Sequence, residues 1–294
     1  MGKRRESGAA GQQGSQSTKS YQAQNPAQTH VTEISVPGKI PRFEIPAWRE
    51  LYGVRAGITG RGAEPGRGFD LGLWSKEPVG EVMNRWLGLR RQMADFNAVV
   101  LGNQVHGVAV MQVDEADGWV QIEGIDGWVT TNPGILLTVT VADCVPIYLI
   151  VPGQGMALLH AGWRGTAGGI LSRGVERLLA ATSSDPSQVV MHCGVGICGT
   201  CYEVGSEVMI GCGMPAEGPG PWHLDLRDRL VEQARAVGLR SATTSSWCSA
   251  HHNSHFFSHR RSGGRDGRMV AYLGMEAEKR GSREVGKQEE RHSD

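Results

Sequence analysis

The chain has 294 residues, enough for one sizeable domain or two small ones. Lysine plus arginine equals aspartate plus glutamate at 30 each, which excludes the net field that draws a protein to nucleic acid or an anionic membrane. No apolar stretch approaches the roughly 20 residues of a membrane span, and the N-terminus lacks the apolar core of a secretory signal.

Residues 1–40 are rich in Gln, Ser, Gly and Ala with few large apolar side chains, so a disordered N-terminal tail is expected. Glu6 occupies the position where a myristoylation signal needs Ser or Thr. It is also the only acid before Glu33, as in a transit peptide, but the segment is not convincingly amphipathic; a cytoplasmic location is the expectation. Residues 81–96 show helical spacing of Val82, Trp86, Leu89 and Met93. The apolar run 98–101 reads as a strand that opens into Asn103-Gln104-Val105-His106-Gly107. Residues 127–131, the turn Asn132-Pro133-Gly134 and the run 135–141 read as a hairpin. Residues 147–151 and 156–160, joined by Pro152-Gly153-Gln154-Gly155, read as a second one.

Beyond His160, a Gly-Trp-Arg-Gly turn leads into a helical run over 166–181, with Ile170, Leu171, Val175, Leu178 and Leu179 on one face. A strand is expected over 189–195, and a helix over 225–237 that Asp225 can cap. From residue 276 to 294 the chain is almost wholly charged or small, and reads as a charged C-terminal tail. Between the tails, 41–275 is one continuous globular region without internal repeat or linker. Hairpins mixed with crossovers argue for an α+β domain rather than a Rossmann fold. Neither G-x-G-x-x-G after a strand nor G-x-x-x-x-G-K-[ST] occurs.

Three polar residues stand at the mouths of predicted strands: His106, Cys144 (after 135–141) and His160. Two imidazoles and a thiolate are the donor set of a catalytic zinc that keeps its fourth position open. On the residues alone, two other readings stand beside this. Cys144 is also suited to be a metal-free nucleophile with His160 as base and Asp143 nearby, or simply a small buried hydrophobe between satisfied histidines. The six cysteines lack the secretory context of a disulfide framework. Cys193, Cys198 and Cys201 superficially match iron–sulfur spacing, but Cys212 follows too closely to be the fourth ligand, so small-residue packing is expected. His251, His252 and His255 lack a partner cysteine placed as a zinc finger requires and read as a surface loop. Phe256-Phe257-Ser258-His259-Arg260-Arg261 sets arginines behind paired aromatics, as in an anion site beside a ring-binding wall.

Taken in order, Gln104-Val105-His106-Gly107, Asp126-Gly127-Trp128-Val129-Thr130, Ala142-Asp143-Cys144-Val145-Pro146, His160-Ala161-Gly162-Trp163-Arg164-Gly165, Tyr202-Glu203-Val204 and 256–261 resemble the laccase-domain family. That family is also called multicopper polyphenol oxidase, peptidoglycan editing factor or zinc-dependent purine nucleoside phosphorylase. The likeness spans about 55–274. It implies a single α+β domain of layered mixed β-sheets flanked by helices, cysteine-hydrolase-like, and one zinc ion on His106, Cys144 and His160 as the catalytic set. It further implies phosphorolysis of adenosine, inosine, guanosine or methylthioadenosine, with adenosine deaminase activity. Amide hydrolysis of peptidoglycan precursors at the same site, or a non-catalytic zinc scaffold, are the alternatives. Purine nucleosides and phosphate are the expected partners, with Arg164 and Arg261 as candidates to hold the phosphate. The older oxidase label fits poorly, since no His-x-His pair is present. The sequence departs from the family pattern at Phe69-Asp70-Leu71-Gly72, at Gly194-Val195 and at His259, where a tyrosine is usual; substrate preference is what these changes touch.

Overall fold

The computed structural model describes residues 29–63, 68–75 and 77–277. Two seven-stranded mixed sheets lie face to face, each covered outside by helices. The first sheet contains β1 (Thr29–Val31), β6 (Val110–Gln112), β8 (Gly127–Thr130), β10 (Val145–Val151), β11 (Gly155–Ala161), β12 (Val190–Cys193) and β15 (Ser241–Ser245), in the order β1-β15-β12-β10-β11-β8-β6. The second contains β2 (Ile34–Ser35), β3 (Arg42–Glu44), β4 (Val54–Thr59), β5 (Ala98–Asn103), β7 (Gly118–Glu123), β9 (Ile135–Val141) and β16 (Met269–Met275), in the order β2-β3-β4-β16-β9-β5-β7. A short pair, β13 (Glu203–Val204) with β14 (Trp222–His223), stands apart.

Successive side chains of a strand face opposite ways, so a strand buried on both faces is apolar throughout rather than alternating. Strand β10 shows this: Tyr148 and Ile150 join the core between the sheets, while Ile147 and Leu149 join the core under the helices. The inter-sheet core includes Ile58, Trp128, Leu137, Val139, Leu158 and Ala271. Two hydrogen bonds cross it, from the Tyr148 hydroxyl to the Gly57 carbonyl at 2.7 Å and from Trp128 Nε1 to the Thr138 carbonyl at 3.2 Å.

Outside the first sheet lie α3 (Trp163–Gly168), α4 (Ile170–Thr182) and α6 (Leu226–Ala236). Helix α4 buries Ile170, Leu171, Val175 and Leu178, each worth about 1.5–3 kcal/mol in area removed from water. Its Gly174 is set by contact: a Cβ there would sit 2.4 Å from Leu159 Cδ1, so only glycine lets the helix lie this close to β11. Helix α2 (Val79–Gln92) covers the second sheet through Val82, Trp86 and Leu89. The described residues also include the short helices α1 (Trp48–Tyr52), α5 (Ser206–Gly211) and α7 (His259–Ser262) and a 3-10 turn at Pro186–Gln188. The layered mixed sheets and flanking helices are the expected α+β architecture. No described helix is long and apolar enough to cross a membrane.

Two expectations are corrected. Residues 127–131 and 135–141 are not a hairpin: β8 pairs with β11 and β6, whereas β9 pairs with β5 and β16 in the other sheet, so Asn132-Pro133-Gly134 is a crossing between layers. The hairpin of β10 and β11 is present, with Val151 opposite Gly155 and Val145 opposite Ala161. The tail boundary at residue 40 is also displaced. Strand β1 pairs in parallel with β15, β2 pairs with β3, and Glu33 between them is 2 % exposed. Its carboxylate meets His192 Nε2 at 3.1 Å and accepts from the Ser245 hydroxyl at 2.6 Å, so residues 29–40 belong to the fold. At the other end Glu276 is held by Arg55 Nη2 at 2.5 Å. Residues 1–28 and 278–294, the remainder of the two expected tails, lie outside the described residues.

Candidate metal centre and its cleft

Each of the three donors is delivered by the end of a strand. His106 lies in the loop after β5, Cys144 between β9 and β10, and His160 near the end of β11. Their ligand atoms all lie within 4.8 Å of one another. The two imidazole rings are 4.8 Å apart at an interplanar angle of 74°. His160 is buried, Cys144 half-buried and His106 exposed, and all three line one cleft of about 900 Å³.

The backbone is bent to achieve this. His106 has φ of 59° and Asp143 has φ of 84°, a region that non-glycine residues enter only when their surroundings hold them there. For His106 the holding group is Asp126, fully buried just before β8. Its carboxylate accepts the backbone N–H groups of Val105 (3.2 Å), His106 (3.0 Å) and Gly107 (2.8 Å). Gln104 completes the anchor by pairing with the Thr140 backbone, donating to its carbonyl at 2.9 Å and accepting from its N–H at 2.7 Å. For Asp143 the carboxylate accepts from the Ser249 hydroxyl and the Arg260 backbone N–H, both at 2.6 Å, while its carbonyl accepts from the Ile197 N–H at 2.9 Å. Gly162 is constrained by space. A Cβ there would lie 3.0 Å from His106 Cδ2 and 3.1 Å from Cys144 Sγ.

Asp126 has a second task. One of its oxygens lies 2.8 Å from His160 Nδ1, which fixes that nitrogen as the protonated one and turns Nε2 towards the other donors. Burial pushes the Cys144 thiol up, but the charge of His160 and the hydrogen bonds of both histidines outweigh it and bring the thiol down to about 6. Burial pushes His160 down, yet Cys144 and Asp126 together raise it to about 9. Asp126 itself is held below its ordinary value, because the His160 contact and the backbone N–H groups outweigh the cost of burial. The protein thus favours a thiolate at Cys144, the form that binds a metal. Two histidines and a thiolate within this reach, one imidazole oriented by a buried carboxylate, fit a zinc ion that retains an open position.

The arginines fall differently from expectation. Arg164 and Arg261 are exposed and are not among the residues lining the cleft. Arg164 stacks on Trp163, 4.3 Å from the ring centroid, and the Arg261 backbone N–H donates to the Ser258 hydroxyl. Arg61, Arg260, Arg265 and Arg268 line the cleft instead. Phe256 and Phe257 are fully buried and form no wall of it. The aromatic surface there is Trp74, 52 % exposed, and Tyr202, with the Arg260 guanidinium 4.9 Å from the Tyr202 ring centroid. Of the arginine pair expected to form an anion site, Arg260 lines the cleft and Arg261 does not, while Asp126 is a functional residue that the sequence reading leaves without a role. For Asp126 a signal existed: an acid placed directly before the apolar run 127–129 must be buried, and a buried carboxylate needs donors.

The family profile described as multi-copper polyphenol oxidoreductase laccase matches residues 54–276. Purine nucleoside phosphorylase YlmD of Geobacillus stearothermophilus is 33% identical, with 77% of this chain and 92% of the relative covered. Adenosine deaminase RL5, from an unknown prokaryotic organism, is 34% identical, with 75% and 93% covered. The crystal structure of the Geobacillus YlmD superposes with a TM-score of 0.75 at 29% identity, over 83% of this chain and all of that one. A Bacillus licheniformis protein, YfiH, gives 0.73 at 25% identity, over 80% and 97%. With the profile covering three quarters of the sequence and the layered fold shared, the chain belongs to the multi-copper polyphenol oxidoreductase laccase family.

Proposed function

We propose that the chain is a purine nucleoside phosphorylase that also deaminates adenosine, working at a zinc ion held by His106, Cys144 and His160. The observation that carries this is the convergence of those three donors on one cleft, with Asp126 orienting His160. The names borne by the relatives, phosphorylase and adenosine deaminase, agree with it. When bound, zinc supplies Lewis acidity and makes a coordinated water acidic near neutrality.

The remaining work belongs to the chain. In phosphorolysis a phosphate oxygen bonds to C1′ of the nucleoside as the C1′–N9 bond breaks. The bonding pair leaves with the purine, which takes up a proton. Charge builds on the sugar in this step, so placing a phosphate dianion beside it matters most. Arg260, Arg265 and Arg268 are the cations at the cleft suited to that task, in place of Arg164 and Arg261. Trp74 and Tyr202 offer faces for a purine, where stacking is worth about 1–3 kcal/mol per base. In deamination a water oxygen bonds to C6 and ammonia departs with the C6–N bonding pair, so no phosphate is needed.

The test is incubation of purified protein with adenosine or inosine, with and without phosphate. Phosphate-dependent release of free base, lost on chelation and restored by zinc, is expected. Absence of base release from every purine nucleoside tried refutes the reading. Arg260→Ala is expected to raise the phosphate KM and to spare deamination, while Arg164→Ala and Arg261→Ala leave both unchanged.

A further inference from the structure

A second group of soft donors lies outside this centre. Cys198, Cys201, Cys248 and His251 bring three thiol sulfurs and an imidazole nitrogen within 4.8 Å of one another. They arrive as two compact pairs, Cys198-Gly199-Thr200-Cys201 after β12 and Cys248-Ser249-Ala250-His251 after β15. Each pair has two intervening residues, the spacing by which short turns present two ligands to one zinc ion. Strands β12 and β15 are parallel neighbours, so their ends deliver the two turns side by side; an isolated bridge joins Gly196 to Cys248.

Two backbone N–H groups already point at one of the sulfurs. The backbone N–H of Cys198 donates to Cys248 Sγ at 3.3 Å, and that of His251 to the same sulfur at 3.5 Å. Cys198 Sγ lies 3.5 Å from His251 Nδ1. All four cysteines of the first sheet's far end and its cleft, Cys144, Cys198, Cys201 and Cys248, are free of disulfides. In a tetrahedral site with zinc–sulfur bonds of about 2.3 Å, sulfur donors stand roughly 3.8 Å apart, so about 1 Å of side-chain movement closes the set.

We propose that Cys198, Cys201, Cys248 and His251 form a second zinc site, closed by four protein ligands and therefore structural rather than catalytic. It stands in place of the expected small-residue packing and plain surface loop. The site ties the turn after β12 to the turn after β15, and both turns border the cleft. Ser249, inside the second turn, bonds Asp143 beside Cys144, while Tyr202, next to Cys201, lines the cleft. The ion would act on the first centre only by holding these two turns together.

The inference is independent of the nucleoside chemistry, and the experiment keeps the two apart. Full-length protein is purified in reductant, saturated with zinc, freed of excess and analysed for metal. Two zinc ions per chain are expected, falling to one in Cys144→Ser and to one in Cys198→Ser or His251→Ala. If the first centre holds no zinc, wild type carries one ion and Cys198→Ser none. A melting temperature that drops on chelation in Cys144→Ser, but not in Cys198→Ser, assigns a structural role to the second ion. Should the variants fail to fold, alkylation of the wild type reports the site: zinc should protect Cys198, Cys201 and Cys248 from modification. Equal zinc content in wild type and Cys198→Ser, or equal alkylation of those three thiols with and without zinc, overturns the proposal.

Discussion

The two donor clusters are assembled from opposite materials. His106, Cys144 and His160 come from segments far apart in sequence, each set by a sheet and by a buried partner such as Asp126. Cys198, Cys201, Cys248 and His251 come as two tight turns whose internal spacing already pairs the ligands. The first cluster offers three donors to a cleft; the second encloses a point with four. A site that must leave room for substrate needs a rigid frame to hold an incomplete ligand set, whereas a complete set can help shape its own loops.

The sharpest way to break this contrast is to remove one donor. Cys144→Ala should abolish nucleoside turnover while leaving the fold intact, because the sheets and not the ion hold the first cluster together. A steady-state assay alongside circular dichroism checks this; loss of fold with activity would mean that the two clusters are not different in kind. Shortening the chain tests the frame itself. Protein starting at residue 29 should keep its denaturation midpoint. Protein starting at residue 41 should lose several kcal/mol, since removing Glu33 takes the partner from His192 Nε2 and the acceptor from the Ser245 hydroxyl, at about 1–3 kcal/mol each, and strips β1 and β2 from their sheets.

Asp126→Asn is subtler. The amide preserves shape but disturbs the His160 tautomer and the reception of three backbone N–H groups, and such partners of a ligand commonly contribute 10–100-fold in affinity or activity. A loss of about that size in zinc affinity or kcat is expected, with zinc binding at the second cluster unchanged. The smallest effect concerns Asp225, which caps α6 at Arg227 N (2.9 Å), pairs with the Arg227 guanidinium (3.0 Å) and accepts from Gly199 N–H (3.0 Å) in the first cysteine turn. Burial raises its carboxyl, but Arg227 and the N–H groups outweigh this and hold it below its ordinary 3.8. A depressed folded-state value stabilises the fold above the unfolded-state value, and that contribution fades as pH falls through the folded one. Asp225→Ala should therefore cost about 1–2 kcal/mol at neutral pH, with the gap from wild type closing below about pH 4. Urea denaturation of chelator-treated protein across that range measures it.

Much of the frame was legible. The apolar runs of β9, β10 and β11 marked strands buried on both faces, and the amphipathic spacing of α2, α4 and α6 marked helices covering a sheet. What misled was chemistry that is locally sound but answered elsewhere. Asn132-Pro133-Gly134 has turn residues whether the next strand pairs back or crosses to another layer, and only long-range pairing decides. Residues 29–35 have little apolar surface; they are held by strand pairing and by one buried glutamate, neither of which composition reveals. Resemblance brought His106, Cys144 and His160 forward, since their spacing alone is no motif. The second cluster had its signal divided between two distant turns. The C-x4-C-x2-C spacing that includes Cys193 points away from it, because Cys193 is fully buried inside β12, and the Cys248–His251 pair lies about 50 residues further on.

In the hairpin of β10 and β11, Pro146 faces His160 and Val145 faces Ala161, so the strand pairing itself measures out the gap between thiolate and imidazole. Rim side chains such as Trp74 and Arg265 can therefore change without altering that gap, provided that the Arg260 backbone N–H stays on Asp143. A single-residue deletion inside either strand has the reverse effect, because it turns every later side chain to the opposite face and carries one donor out of reach. Selectivity and reactivity are thereby separable: new substrates can be sought by substituting side chains at the rim, with the donor geometry left as the invariant of the library.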